Sequence, residues 1–216
     1  MNIPVIHWWA ILPIAVLSFF GIAVMVLDPF LKPASRGSLG WLALIGVAAA
    51  AGAVPSMAQH PGASYSGLWM VDGYSVFFHF LFLFIAALTI LISVDYLPRE
   101  GMNHAEYYAL LLFATAGALV MSSGAELITI FIGLEILSIA TYVLAGFRRT
   151  DLKSNEAALK YFLLGSFASA FFLYGTALIF GATGTTNLAS IAAAAGQPDA
   201  QSNLVLLSAA LLLTAL

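Results

Sequence analysis

The stretch that decides the fold is ELITIFIGLEILSIATYVLAGF, residues 126–147, which is mostly apolar but carries Glu135 in its middle. Twelve residues between 127 and 147 are Leu, Ile, Val or Phe, and together they favour membrane insertion by about 4–7 kcal/mol. An acid at the centre of the helix opposes insertion by about 2.5–3.5 kcal/mol. The segment is therefore predicted to cross the membrane in spite of Glu135, whose carboxylate then needs a partner.

The whole chain has the composition of a membrane protein. It has 216 residues, of which 62% are hydrophobic and 8% are charged, whereas soluble domains carry roughly 25% charged residues. Windows without charge recur along it, and each approaches the roughly 17–25 residues that span a bilayer. They are too long for the alternating strands of a β-barrel. The windows are 8–27, 37–54, 73–94, 107–125 and 161–181.

These windows predict an all-α polytopic membrane protein with six complete transmembrane helices and a partial seventh. No Lys or Arg precedes the first window, so it is interpreted as a retained helix and not as a signal peptide. The last segment offers at most about 14 apolar residues, or roughly 21 Å of helix, against a hydrocarbon core of about 30 Å. We therefore expect a truncated chain. The predicted helices are 7–27, 39–54, 74–95, 105–123, 126–147 and 156–180, with a seventh opening near Asn203 and with Ser154 or Asn155 as N-cap of the sixth.

The basic residues occupy alternate loops. By the positive-inside rule these loops face the cytoplasm, and the N-terminus lies outside. The loops 55–73, 124–125 and 181–202 carry no Lys or Arg. The basic residues are Lys32, Arg36, Arg99, Arg148, Arg149, Lys153 and Lys160.

Several kinds of site are excluded by the residue types that the chain lacks. It has no cysteine, and thus neither thiolate-bound iron–sulfur clusters nor disulfides. Of its four histidines only His79 lies well inside a predicted span, so no pair holds a haem or a metal there. The net charge of −3 gives no indication of nucleic-acid binding. We expect no cofactor bound by this chain.

Glu135 begins a polar stripe along its helix. Ser138 and Tyr142 follow it at i+3 and i+7, and Gly146 at i+11, on the same helical face. The stripe runs along about 16 Å of helix, and its hydroxyls, joined by water, would relay a proton to the acid. Intramembrane acids typically mark ion paths or paired functional sites. The alternative is a neutral acid that hydrogen-bonds a neighbouring helix.

Lys160 is the second candidate for proton translocation. Counted from a cap near residue 155, it lies about 7 Å inside the sixth helix, and about 10 Å in depth separates it from Glu135. The alternative is an interfacial lysine that extends to the headgroups. His79 is interpreted as a packed, hydrogen-bonded histidine, and Glu126 as an acid favoured by the helix dipole. The motif GSFASA, residues 165–170, is interpreted as helix packing.

Three blocks in order carry a resemblance to a known family. They are AEYYALLLFATAGALVMSS, FIGLEILSIATYVLAGF and NEAALKYFLLGSFASAFFLYGTALIFGATGTTNL. They are similar to the antiporter-like membrane subunits of respiratory complex I, above all to the N-terminal part of subunit N of the bacterial NADH–quinone oxidoreductase. The resemblance implies fourteen helices with two inverted five-helix repeats. Residues 1–104 would then form an N-terminal three-helix region, and 105–216 the incomplete start of the first repeat.

The resemblance also implies a function. The chain would be a translocase subunit in a bacterial inner membrane, translocating protons beside other membrane subunits of complex I. NADH, quinone, flavin and iron–sulfur clusters would be bound in partner subunits. Glu135 would pair with a lysine of a broken seventh helix, which would follow Leu216, and Lys160 would be a further polar position. The alternatives are a subunit of a multisubunit cation/proton antiporter or membrane hydrogenase, and a non-pumping structural subunit.

Overall fold

The computed structural model describes residues 7–31, 37–197 and 202–215. Six of its helices are long and apolar enough to cross a membrane, and a shorter apolar helix follows near the end of the chain. This confirms the predicted all-α polytopic fold with six complete spans and a partial seventh. The helices are α1 Trp8–Leu27, α2 Gly37–Ala58, α3 Gly73–Arg99, α4 Ala105–Ser123, α5 Leu127–Ala145, α6 Leu152–Thr183, α7 Leu188–Ala195 and α8 Ser202–Ala215.

The sixth helix begins earlier than its apolar window. Asp151 is its N-cap, and the side chain accepts a hydrogen bond from the backbone N–H of Lys153 at 3.0 Å. The predicted cap at Ser154 or Asn155 is therefore wrong. The Ser154 hydroxyl instead donates to the carbonyl of Ala145 on α5, at 2.8 Å. Charged residues end an apolar window, but they do not end a helix whose first N–H groups are capped.

Helix α4 is the centre of the bundle and packs against α1, α2, α3 and α5. More than half of its span is buried, the largest share among the six. Alanine and glycine dominate one side of it, so neighbouring backbones approach closely. Its larger buried side chains, Tyr108, Leu112 and Leu119, join Leu17 of α1 and Ile90 of α3 in the main core.

Helices α4 and α5 touch through reciprocal glycines. A Cβ on Gly117 would lie 2.7 Å from both the carbonyl oxygen of Gly133 and the backbone nitrogen of Leu137. A Cβ on Gly133 would lie 2.7 Å from the backbone nitrogen of Met121 and 2.8 Å from the carbonyl oxygen of Gly117. Any side chain at these two positions therefore forces the helices apart.

One end of the bundle, here called the hairpin end, contains the segments 60–72, 124–126 and 184–188. Strands β1, Gly62–Ser64, and β2, Trp69–Val71, pair antiparallel there. Backbone hydrogen bonds of 3.0 Å run from Ala125 N–H to the carbonyl of Leu68 and from Leu188 N–H to the carbonyl of Ala125. The three segments are thus joined in one hydrogen-bonded seam. From the sequence, 55–73 is predicted only as a loop, since three-residue strands are too short for alternation to reveal.

The opposite end, here called the arginine end, contains the segments 99–104 and 146–151. Arg148 forms an ion pair with Glu100 at 2.7 Å, which joins the two segments. Arg99 pairs with Asp95 at 2.5 Å, with both side chains largely exposed. The described basic residues in these segments therefore lie opposite the hairpin end. Lys32 and Arg36, which also entered the topology prediction, lie outside the described residues.

Candidate functional site

A groove of about 400 Å³ runs between α5 and α6. From α5 it is lined by Glu135 and Tyr142, and from α6 by Ser166 and Ser169, with apolar side chains around them. Two aromatic contacts hold the helices in register. The rings of Phe131 and Phe172 stack with centroids 5.7 Å apart, and Tyr142 packs edge-on against Tyr161 at 4.8 Å. The remaining residues that line the groove are apolar, namely Phe131, Ile139, Phe162, Ala170 and Leu173.

Glu135 stands in the middle of α5. It lies about 12 Å from Leu127 and about 15 Å from Ala145 along the axis, and it is half-buried. The hydroxyl of Ser169 donates a hydrogen bond to its Oε1. An O–H donor makes a stronger hydrogen bond to a carboxylate oxygen when the acid is charged. From the sequence a partner is expected for the Glu135 carboxylate, and a residue of α6 thus supplies it as a hydrogen-bond donor.

The predicted polar stripe is only partly present in the groove. Tyr142 shares the groove with Glu135, and its hydroxyl occupies the space above Gly165, where a Cβ would lie 1.8 Å from the phenolic oxygen. Ser138 does not belong to the groove lining, where Ile139 stands instead. Because α5 and α6 contact each other along one narrow face, the groove is lined from α5 by the i−4, i, i+4 and i+7 positions relative to Glu135.

Lys160 and Glu135 are not brought together. Lys160 forms an ion pair with Glu156, and its side chain is 74% exposed. It lies nine residues before Ser169 on α6, which corresponds to about 14 Å along the axis and half a turn around it. Lys160 therefore projects from the face of α6 opposite to the groove. Because the helix begins at Leu152, the lysine lies about 12 Å from its first residue, deeper than expected.

Ser169 is the partner of Glu135 that sequence reasoning missed. It belongs to the GSFASA motif, which was interpreted as helix packing, and Gly165 of that motif does serve packing against Tyr142. A serine in an apolar helix usually bonds its own backbone. Ser166 does so although it lines the same groove, whereas Ser169 bonds Glu135, and only the structure distinguishes the two.

His79 is fully buried in α3. Its Nε2 lies 3.0 Å from the hydroxyl of Ser123 and 3.3 Å from the carbonyl of Leu119, both on α4. These contacts are those of a packed, hydrogen-bonded histidine. Glu126 occupies the N-cap position of α5 and makes no capping bond with its side chain; its backbone pairs with Asn187 in the seam of the hairpin end.

In sequence, the chain is similar both to a family model and to individual curated proteins. The family model "NADH:quinone oxidoreductase/Mrp antiporter, TM" matches residues 124–216. NADH-quinone oxidoreductase subunit N of Trichlorobacter lovleyi is 45% identical over 91% of this chain and 40% of the relative. Subunit N 2 of Koribacter versatilis is 49% identical over 89% of this chain and 41% of the relative. The chain thus spans less than half the length of the curated relatives that it matches.

Solved structures share the fold. A chain of respiratory complex I from Thermus thermophilus with bound aureothin matches with a TM-score of 0.73 and 34% identity, over 94% of this chain and 42% of that chain. A chain of the membrane-bound sulfane sulfur reductase, an archaeal respiratory membrane complex, matches with a TM-score of 0.78. Its identity of 24%, over 95% of this chain and 43% of that chain, shows the fold alone. The sequence and structural matches together confirm the resemblance to subunit N of NADH–quinone oxidoreductase, and residues 124–216 match the NADH:quinone oxidoreductase/Mrp antiporter transmembrane family model.

Proposed function

We propose that this chain forms part of a proton-translocating membrane subunit of an NADH–quinone oxidoreductase, and that Glu135 is its central charged group. The observation that carries the proposal is the position of Glu135. A half-buried acid stands in mid-span, in a groove that also presents hydroxyl groups. The similarity to subunit N proteins over most of the chain supports the same function.

The proposed mechanism is electrostatic. An ionised Glu135 favours a charged lysine close to it. The resemblance to subunit N implies that this lysine lies on the seventh helix. Weakening the pair destabilises the protonated lysine, which then releases its proton. Moving one charge against the membrane potential costs about 2.3 kcal/mol per 100 mV, a cost within the range of a buried ion pair that is broken.

Lys160 belongs to the proposal as a second site for translocation, acting from the opposite face of α6. Tyr142 lies in the groove with Glu135 and is proposed to extend the polar path toward the arginine end. Ser138 is proposed to support the stripe from outside the groove lining. We further propose that the first antiporter-like repeat begins at residue 105, after an N-terminal three-helix region.

The redox chemistry is proposed to take place in partner subunits. They would bind NADH, flavin, iron–sulfur clusters and quinone, while this chain contributes only membrane helices. The site would be the inner membrane of a bacterium, with the N-terminus outside and other membrane subunits of the complex alongside. The absence of cysteine from the sequence is consistent with this division, since cluster ligands are typically thiolates.

Replacing Glu135 tests the proposal. In the complete subunit within its assembled complex, E135Q removes the charge but keeps the volume, and E135D keeps the charge on a shorter side chain. We expect E135Q to lower the rate of NADH-driven proton uptake by inside-out vesicles at least about tenfold, and E135D to lower it less. Full proton pumping in E135Q, with normal assembly, would show that this subunit is a structural one.

The name of the matched family includes the Mrp antiporters, and a cation/proton antiporter subunit is therefore the second candidate. Co-purification distinguishes the two. A tagged subunit of complex I retains NADH dehydrogenase activity through its partner subunits, whereas an antiporter complex exchanges cations for protons and oxidises no NADH.

A further inference from the structure

Ser169 behaves differently from the other serine and threonine residues in the middle and at the end of α6. Ser166, Thr176 and Thr183 each donate to the carbonyl four residues earlier in the same helix, at 2.8, 2.9 and 2.7 Å. This is the usual bond of a serine or threonine inside a helix. Ser169 instead donates across the groove to Glu135. Its hydroxyl is thus used between helices and not within one.

The contacts on either side of Ser169 hold its hydroxyl against Glu135. One turn toward the hairpin end, Phe172 stacks on Phe131 of α5. One turn toward the arginine end, Gly165 receives the ring of Tyr142. These two contacts set both the separation and the register of α5 and α6. The hydrogen bond between Ser169 and Glu135 therefore forms at a place where the backbone is already fixed.

No other described charge competes for Glu135. On α4 the residues at its level, 114–121, are Ala, Thr, Gly, Leu, Val and Met, none of which titrates. On α6 Lys160 points away from the groove and pairs with Glu156. Tyr142 is the one titratable residue among the groove lining besides Glu135. Within the part of the chain that the structure describes, the hydroxyl of Ser169 is the donor that Glu135 has.

We propose that Ser169 is a positioning residue for Glu135, which orients the carboxylate in the groove. This inference rests on the proposed function of Glu135. A hydrogen bond donated to a charged acceptor contributes more than one between neutral groups, so its loss leaves the carboxylate without its described donor. Helix α6 contributes no ionisable group to the groove lining, and its contact with the carboxylate is this hydroxyl.

The test compares two variants of α6 in the complete subunit within its assembled complex. S169A removes the hydroxyl that reaches Glu135, and T176V removes a hydroxyl of the same helix that lies outside the groove lining and bonds its own backbone. The measurement is the rate of NADH-driven proton pumping by inside-out vesicles. We expect this rate to fall about fivefold in S169A and to stay unchanged in T176V. S169T, which keeps a hydroxyl, should restore the wild-type rate.

Three results separate this inference from the proposed function. If E135Q pumps normally, the proposed function is wrong. If E135Q abolishes pumping but S169A pumps at the wild-type rate, only the role of Ser169 is wrong. An equal loss of pumping in S169A and T176V would also overturn it, because a general loss of packing would then explain both. Should S169A fail to assemble, S169C is measured instead, since it keeps the volume with a weak donor.

Discussion

Asn187 joins three loops with one side chain. Its Oδ1 accepts a hydrogen bond from Ser190 N–H at 3.1 Å and so caps α7. Its Nδ2 group reaches the carbonyls of Gly67 at 3.2 Å and Ala125 at 3.4 Å. One residue therefore serves both a helix end and the seam of the hairpin end, and the two contributions can be measured separately.

The variants N187S and N187A make that separation. A serine keeps an N-cap oxygen but cannot reach Gly67 or Ala125, whereas an alanine loses every bond. We expect N187S to lower the free energy of unfolding by about 1 kcal/mol, and N187A to lower it by about 1 kcal/mol more. Thermal unfolding of the detergent-solubilised complex gives the order. Equal stabilities of N187S and N187A would mean that the cap contributes nothing.

At the level of single residues, the sequence predicted that the Glu135 carboxylate needs a partner, but not which residue supplies it. Glu135 was identified because the insertion cost of an acid in an apolar segment is known without any structure. Its partner Ser169 was not, because the sequence of one helix does not reveal which of its faces meets a neighbour. Ser138 was assigned to the stripe on angular spacing alone, and the narrow contact with α6 leaves it outside the groove lining.

Among the helices, the contact of α4 with α5 is the closest backbone approach described above. We expect G117A to destabilise the protein by about 1–3 kcal/mol, because the added methyl group meets fixed backbone atoms and not a flexible side chain. The matched control is G52A, since nothing lies within 4 Å of a Cβ added there. The measurement is again thermal unfolding. A G117A protein as stable as G52A would contradict the contact.

Helix existence followed from the apolar windows, but helix ends did not. Helix α4 was predicted to the residue, because His104 and Gly124 flank its apolar run. Helices α2, α3 and α6 each extend beyond their predicted ends by several residues, through Pro55, Pro98 and the charged first turn of α6. Helices continue where their hydrogen bonds and caps allow, whereas a hydropathy window ends at the first polar residue.

For the whole molecule, the orientation in the membrane stays a prediction with a direct test. The chain has no cysteine, so no native cysteine has to be replaced before single-cysteine variants are made. A63C lies at the hairpin end and T150C at the arginine end, and both positions are exposed. We expect a membrane-impermeant maleimide to label A63C from outside intact cells, and T150C only after permeabilisation. The reverse pattern would place the N-terminus inside.

The two ends of the bundle differ in what holds them. Amide-to-carbonyl bonds fasten α6 to the rest of the molecule beside Asn187, whereas at the far end the link between the segments includes exposed ion pairs, which are weak and screened by salt. High ionic strength is therefore expected to loosen the contact between the segments 99–104 and 146–151 and to leave the hairpin end unchanged.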